Sequence, residues 1–378
     1  MSALRATVCF GGYHGVNVFA KGMNIRKQLI EPLQADVILA LTYRRDDNCS
    51  SIESCDVPRR LEHLQPFQRV EMQPMQLTKD LAYTMEKLPH WNSIIRTFNS
   101  SHRTCFRDQS WNHATAPPGS TPWICIRLQN TQYNTIFSPV IGNSALNVLR
   151  QQYALSRCLH LSRAQEAATG HLYDRIVHSR LEYIWMAPHP PLELLDRRCA
   201  WVPDGEDFGG LNDRHAVLNR EHAAIYHGRW EMILDGRVMT NNPNLRAGTC
   251  CGSMSDEKWL YGLMRHYRVP VCRFPELSFL TCCNSRTQKN CFRHTCYKMN
   301  ALNMTLFAKS SSEFGSCVSN ARMLRDPNMT FVRGGTLNLT ILETWQKHRL
   351  HVALKRHAQR SPKRQHGEAD WVPGYVPP

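Results

Sequence analysis

The stretch from Tyr173 to Tyr226, YDRIVHSRLEYIWMAPHPPLELLDRRCAWVPDGEDFGGLNDRHAVLNREHAAIY, decides how the rest of the chain is read. Its first segment, Asp174–Trp185, carries Ile176, Val177, Tyr183, Ile184 and Trp185, and this β-branched and aromatic content predicts a buried strand. Alternation along such a strand puts Arg180 and Glu182 on one face. A break at Pro188, Pro190 and Pro191 precedes a short apolar run, Cys199–Val202, and then an acidic, glycine-bearing loop, Pro203–Gly210. Leu211–Asn219 brings polar groups onto another strand. Asn219 is placed to cap a helix over Arg220–Trp230, with Glu221 in its first turn. Strand, polar tip, strand, acidic loop, strand, helix is the order in which α/β enzymes present chemistry at strand ends.

Upstream, Ala6–Phe10 reads as a first strand, followed at once by Gly11, Gly12, Tyr13, His14 and Gly15. Glycines there either let backbone approach a phosphate or make a tight turn, and both readings stand. Asn24–Leu33 has a helical stripe of Ile25, Leu29 and Ile30, and Ala35–Leu41 is the near-continuous apolar run of a central parallel strand. A β-α-β opening of this kind predicts a right-handed crossover. Tyr43, Arg44 and Arg45 stand at the end of the second strand. Phe67–Met72 reads as a third strand, and about 92–132 as an irregular insertion. Asn143–Ala168 is a helix ended by Gly170, expected to pack beneath the strand at 174–185. Ser255 is placed to cap a helix running to His266, and Val269–Phe274 is a late strand marked as an edge by Pro270.

The strand end at Arg180-Leu181-Glu182, the loop PDGEDFGGLNDRHAVL and the helix after it resemble an uncharacterised group of GT-A-like glycosyltransferases. The resemblance runs from about Ala6 to Thr281 and is sharpest over 173–226. It implies an α/β sandwich with a central, mostly parallel sheet that binds a nucleotide-sugar at its strand ends and passes the sugar to a glycan or protein acceptor. Residues 1–285 would form that domain, and 286–378 a Cys-rich, basic extension. The chain has Glu182 where the group usually has aspartate and lacks a clean D-x-D metal motif. These departures keep a second class open, a carbohydrate- or anion-binding relative without catalysis.

Sugar transfer requires the diphosphate charge to be offset and, for inversion, a base for the acceptor hydroxyl. Phe10, Gly11, Gly12, Tyr43, Arg180 and Asn212 are the expected donor contacts. Glu182 and Asp207 are the candidate ligands for Mn²⁺ or Mg²⁺, since hard cations take oxygen donors. An ion pair of Glu182 with Arg180, and a plain turn role for Asp204, Glu206 and Asp207, are the competing readings. Asp213, with Arg214 beside it, is the acid/base candidate. Its alternative is a buried pair with Arg214 or Arg180.

The 378 residues include 15 cysteines and carry a formal charge of +15, of which Lys347, Arg349, Lys355, Arg356, Arg360, Lys363 and Arg364 supply seven, leaving 15 − 7 = +8. That balance suits anionic ligands. The tail reads as a solvated end, and no nucleic-acid motif accompanies it. No apolar run is long enough to span a membrane, and Met1–Ala6 lacks a signal-peptide pattern. The cysteines and the sequons at Asn48, Asn99, Asn303, Asn328 and Asn338 point to a secretory lumen such as the Golgi, with the cytosol as alternative. Cys49 and Cys55 are spaced for a local disulfide. The cluster Cys282, Cys283, Cys291, His294 and Cys296 lacks paired zinc spacing and favours disulfides or thiols.

Overall fold

The computed structural model describes residues 4–13, 19–43, 51, 56–74, 103–107, 123–127, 145–207, 210–235, 256–281, 296–299, 304–307 and 311–323. Its centre is a seven-stranded sheet of β1 (Ala6–Tyr13), β2 (Asp36–Tyr43), β3 (Phe67–Pro74), β6 (Arg175–Ser179), β8 (Ala200–Asp204), β9 (His215–Leu218) and β10 (Val271–Pro275). The strand order is β10-β8-β9-β6-β1-β2-β3. β9 runs antiparallel to both its neighbours, and the other pairings are parallel. The chain is therefore mixed α/β with a mostly parallel central sheet.

Alternation explains the layers. Val8, Phe10, Val37, Leu39, Leu41, Val177 and Val217 face one core with Ile25, Leu29 and Ile30 of the first helical stretch. That stretch is α1 (Phe19–Ile25), continued by a π-helical turn (Arg26–Ile30) and a last turn (Glu31–Leu33). The intervening residues Cys9, Ile38, Ala40, Ile176, Ala216 and Leu218 face the opposite core. There they meet α2 (Ala145–Thr169), α3 (Arg220–His227), α4 (Arg229–Asp235) and α5 (Asp256–His266). Period-2 strands buried on both faces give the continuous apolar runs visible in the sequence.

Several expectations are corrected. The segment 174–185 is two strands. β6 ends at Ser179, and Tyr183–Trp185 is a separate strand, β7, paired antiparallel with β11 (Ser278–Leu280). Leu181 and Glu182 form the turn between them. Gly11 and Gly12 belong to β1 rather than to a loop. A Cβ on Gly11 would stand 3.3 Å from the Ala154 Cβ of α2, so glycine here admits the helix close to the strand. α2 lies chiefly across β1 and β2, not beneath β6. The disulfide Cys9–Cys158 joins it to β1, and a second disulfide, Cys199–Cys272, joins the start of β8 to β10.

Gly170, at φ +70°, ends α2 with its N–H on the Glu166 carbonyl at 2.8 Å. Asn219 caps α3 as expected, its Oδ1 accepting from His222 N at 2.7 Å, but Gly228 separates α3 from α4 within the span expected to be one helix. β6 is the middle strand and β10 an edge, as the sequence implies. The insertion at 92–132 contains an antiparallel pair, β4 (Arg103–Arg107) and β5 (Trp123–Arg127).

The segment beyond 285 contributes a hairpin of β12 (Cys296–Met299) and β13 (Met304–Phe307), and α6 (Ser311–Met323). α6 packs on β11, with Cys317 and Ala321 buried. The Cys49–Cys55 pair, the Ser255 cap, the cluster at 282–294, the five sequons and the basic tail lie outside the described residues.

Candidate active site

The parallel strands end along one edge, which carries Gly12, Tyr43, Ser179, Asp204 and Pro275. Because β9 runs the other way, its N-terminal approach, Asn212-Asp213-Arg214, arrives at this same edge. Topology thus gathers residues that are far apart in sequence. Their side chains divide into two groups on opposite faces of the sheet.

On the α2 side, Arg180 follows the middle strand directly. Its Nη2 donates to Gln151 Oε1 at 2.7 Å and lies 3.4 Å from Asp213 Oδ2. The Arg180 side chain keeps 21% of its surface exposed, whereas that of Asp213 keeps 3%. Gln151 Nε2 donates to Asp213 Oδ2 at 2.5 Å, and the Tyr226 hydroxyl donates to the Asp213 carbonyl at 2.7 Å. Near Asp213 stands Asp256, in the first turn of α5. Gln152 Nε2 donates to both Asp256 oxygens, and Arg229 Nη1 lies 3.1 Å from one of them. Arg229 is fully buried, its guanidinium over the Tyr226 ring at 4.7 Å.

Burial would raise the pKa of either acid, but the surroundings split them. The positive charges of Arg180, Arg229 and Arg214 outweigh burial at Asp213 and hold it below its ordinary value. At Asp256 burial and the negative Asp213 prevail over Arg229, and the pKa is raised. Asp213 lies in an ion pair with Arg180.

On the other face, buried Arg214 donates to Glu313 Oε1 of α6 at 2.7 Å and lies 3.5 Å from Glu206 Oε2. Glu276, 1% exposed between β10 and β11, adjoins Glu313, Glu206, Arg214 and Asp204. Burial pushes its pKa up to about 9, with Glu313 and Glu206 adding to the rise. Gly205, at φ +145°, lies so close to this carboxyl that a Cβ would fall 2.9 Å from Glu276 Oε2. Arg214 is therefore a structural cation between α6 and the acidic loop, not a group presented at the edge.

The remaining predicted residues part in the same way. Phe10 is fully buried in the core. Asn212 is buried and its side chain staples the loop, donating to the Gly205 carbonyl at 3.0 Å and accepting from Arg214 N at 3.0 Å. Gly12 and Tyr43 do stand at the edge, with nothing within 4 Å of a Cβ added at Gly12. Asp207 is held by both Arg273 guanidinium nitrogens, at 2.7 and 2.8 Å, and also accepts from Asn212 N. Glu182 is partly exposed in the β6–β7 turn and adds a negative charge near Arg180.

Asp207, one of the two candidate metal ligands, has both carboxylate oxygens on the Arg273 guanidinium. Among the described residues no group of three or more His, Cys, Asp or Glu has metal-holding geometry. Sequence reasoning passed over Gln151, Gln152, Arg229, Glu276 and Glu313, and read Asp256 only as a helix start. The usable signal was weak: a Gln-Gln pair interrupting the apolar stripe of α2, and an arginine beside Trp230 in an apolar turn.

A family model described as "Domain of unknown function (DUF7796)" matches residues 128–242, which span α2, β6, the acidic loop and α3. No curated protein matches the chain. Among solved structures, mouse Xyloside xylosyltransferase 1 in its apo form matches with 10% identity and a TM-score of 0.31, over 70% of this chain and 82% of that chain.

Proposed function

We propose that the chain is a GT-A-like glycosyltransferase that takes a sugar from a nucleotide donor to a glycan or protein acceptor. The observation that carries this reading is Arg180. Its guanidinium stands at the end of the central strand, part-exposed, oriented by Gln151 and countered by the buried Asp213. Open α/β sheets bind ligands at the C-terminal strand ends, and a planar guanidinium suits diphosphate oxygens. The acidic-loop motif around GLNDRHAV supports the same class through its resemblance. Gly12 and Tyr43 complete the donor edge beside Arg180.

Charge on the leaving diphosphate is assigned to Arg180, while Asp207, one of the two candidate carboxylates, is held by Arg273. Asp213 positions Arg180. A protein that binds sugar nucleotides without turnover remains the second reading, favoured by one observation: Asp213, the acid/base candidate, is 2% exposed. The buried disulfides support a secretory lumen. The test is a thermal-shift panel of UDP- and GDP-sugars on wild type and Arg180→Met, followed by turnover with the best binder. Ligands that bind only the native state raise Tm by mass action. Wild type should shift and Arg180→Met should not; no shift with any nucleotide would end both readings.

A further inference from the structure

We infer that α6 belongs to the working donor edge: Glu313, in its first turn, is a positioning residue that acts through Arg214 and Asp213 to set the Arg180 guanidinium for its anionic ligand. This rests on the reading of Arg180 as the diphosphate contact, and it brings to that site a helix from the segment expected as an appended extension.

Asn212-Asp213-Arg214 precedes β9 and lies outside the strand ladder, so side chains fix its course. Asn212 fastens it to the acidic loop, donating to the Gly205 carbonyl and accepting from Arg214 N, both at 3.0 Å. Arg214 fastens it to α6. Its Nη1 donates to Glu313 Oε1 at 2.7 Å, and its Nη2 lies 3.5 Å from Glu206 Oε2, so one guanidinium fork spans the helix and the loop. The Glu313 side chain is fully buried, and salt screens such a pair little. α6 is itself firmly seated. Asn320 Nδ2 donates to the Glu276 carbonyl at 3.1 Å, and Ala321 shares a core with Tyr183 and Trp185 of β7.

Asp213, the residue before Arg214, reaches the opposite face of the sheet, where its Oδ2 lies 3.4 Å from Arg180 Nη2. Adjacent Cα atoms are ~3.8 Å apart, so the grip on Arg214 and the reach of Asp213 are two arms of one short lever. The Tyr226 hydroxyl, on the Asp213 carbonyl at 2.7 Å, marks its pivot. Releasing the Glu313 end lets the lever tilt, and the carboxylate that positions Arg180 moves with it. A guanidinium that must meet two phosphate oxygens tolerates a displacement of only about 0.5 Å.

Calorimetry with the tightest-binding sugar nucleotide of a UDP- and GDP-sugar panel, at a temperature where every variant is folded by circular dichroism, compares wild type, Glu313→Gln and Glu166→Gln. Glu166 is also a buried carboxylate paired with an arginine, Arg220, but it lies by Tyr173 at the other end of β6. Glu313→Gln should bind about 2- to 30-fold more weakly, the span of coupling through residues that do not touch a ligand, while Glu166→Gln binds as wild type does. In an Arg180→Lys background the Glu313→Gln loss should shrink, because the fork that the lever sets is already gone. Wild-type affinity in folded Glu313→Gln overturns this inference alone, as does an equal loss in Glu166→Gln or an undiminished loss beside Arg180→Lys. Absence of binding by wild type overturns the reading beneath it as well. Should Glu313→Gln fail to fold, Arg214→Lys decides. It keeps the charge but cannot span Glu206 and Glu313, so it should weaken binding within the same range, and unchanged affinity would refute the positioning role.

Discussion

Replacing Glu276 by glutamine should flatten part of the pH dependence of stability. In the fold this carboxyl is buried against Gly205 and adjoins Glu313, Glu206 and Asp204 with Arg214 the cation among them, and its pKa rises from 4.5 to about 9. A group whose folded pKa is raised contributes stability that is complete below the unfolded value and is lost as pH climbs towards the folded one. Between those limits the unfolded chain has released a proton that the native chain retains. The loss is therefore about 1.4 kcal/mol per pH unit for this one group. From about pH 5 to about pH 8 wild type should lose roughly 4 kcal/mol more than Glu276→Gln, a large share of an ordinary domain's stability. Urea unfolding of both proteins across that range reads the difference directly, because titrations common to both cancel. Curves that keep a constant offset at every pH would show that Glu276 ionises normally in the fold and would refute the reasoning.

Other expectations concern single contacts. Glu313→Ala removes the 2.7 Å carboxylate partner of buried Arg214 and should cost roughly 3–5 kcal/mol, read as a lowered urea midpoint, whereas an exposed control such as Glu62→Ala should cost little. The Cys9–Cys158 bridge closes a sequence separation of 149 residues, so Cys158→Ala should lose about 2–5 kcal/mol, seen as a Tm drop that reductant reproduces in wild type. His189, buried against His215, has its pKa lowered to about 4 by burial. Its neutral form is the native one, so it destabilises the fold progressively as pH falls from about 6.5 towards 4, by up to roughly 3 kcal/mol; an unfolding midpoint unchanged across that range in wild type relative to His189→Phe would contradict this.

The central strands were legible because burial on both faces writes unbroken apolar runs, as in Ala35–Leu41 and Ile176–Val177, and because Asn219 and Gly170 are strong local start and stop signals for helices. The break of 174–185 into β6 and β7 was hidden, since β-branched and aromatic residues flank it on both sides and only the pairing of β7 with β11 separates them. Gly11 read as loop because its cause, the closeness of Ala154, comes from a residue far along the chain.

The site was half legible for the same reason. Arg180 and Asp213 stood out locally, and topology does bring them together. Their partners Asp256, Arg229 and Gln151 owe their roles to helices that pack on the sheet, and Asp256 looks in sequence like any first-turn acid. α6 lacks a clear apolar period in its serine-rich stretch, so nothing local announces that Glu313 will reach Arg214. Asn212 and Asp207, expected from the sequence as ligand contacts, also fasten the loop that carries them.

The most direct test of the central claim is calorimetric binding of UDP- and GDP-sugars to wild type, Arg180→Lys and Arg180→Met at one pH and salt concentration. If Arg180 meets the diphosphate, wild type binds, lysine retains part of the affinity as a point charge without the guanidinium fork, and methionine loses binding while unfolding cooperatively. Binding by folded Arg180→Met equal to that of wild type would contradict the account.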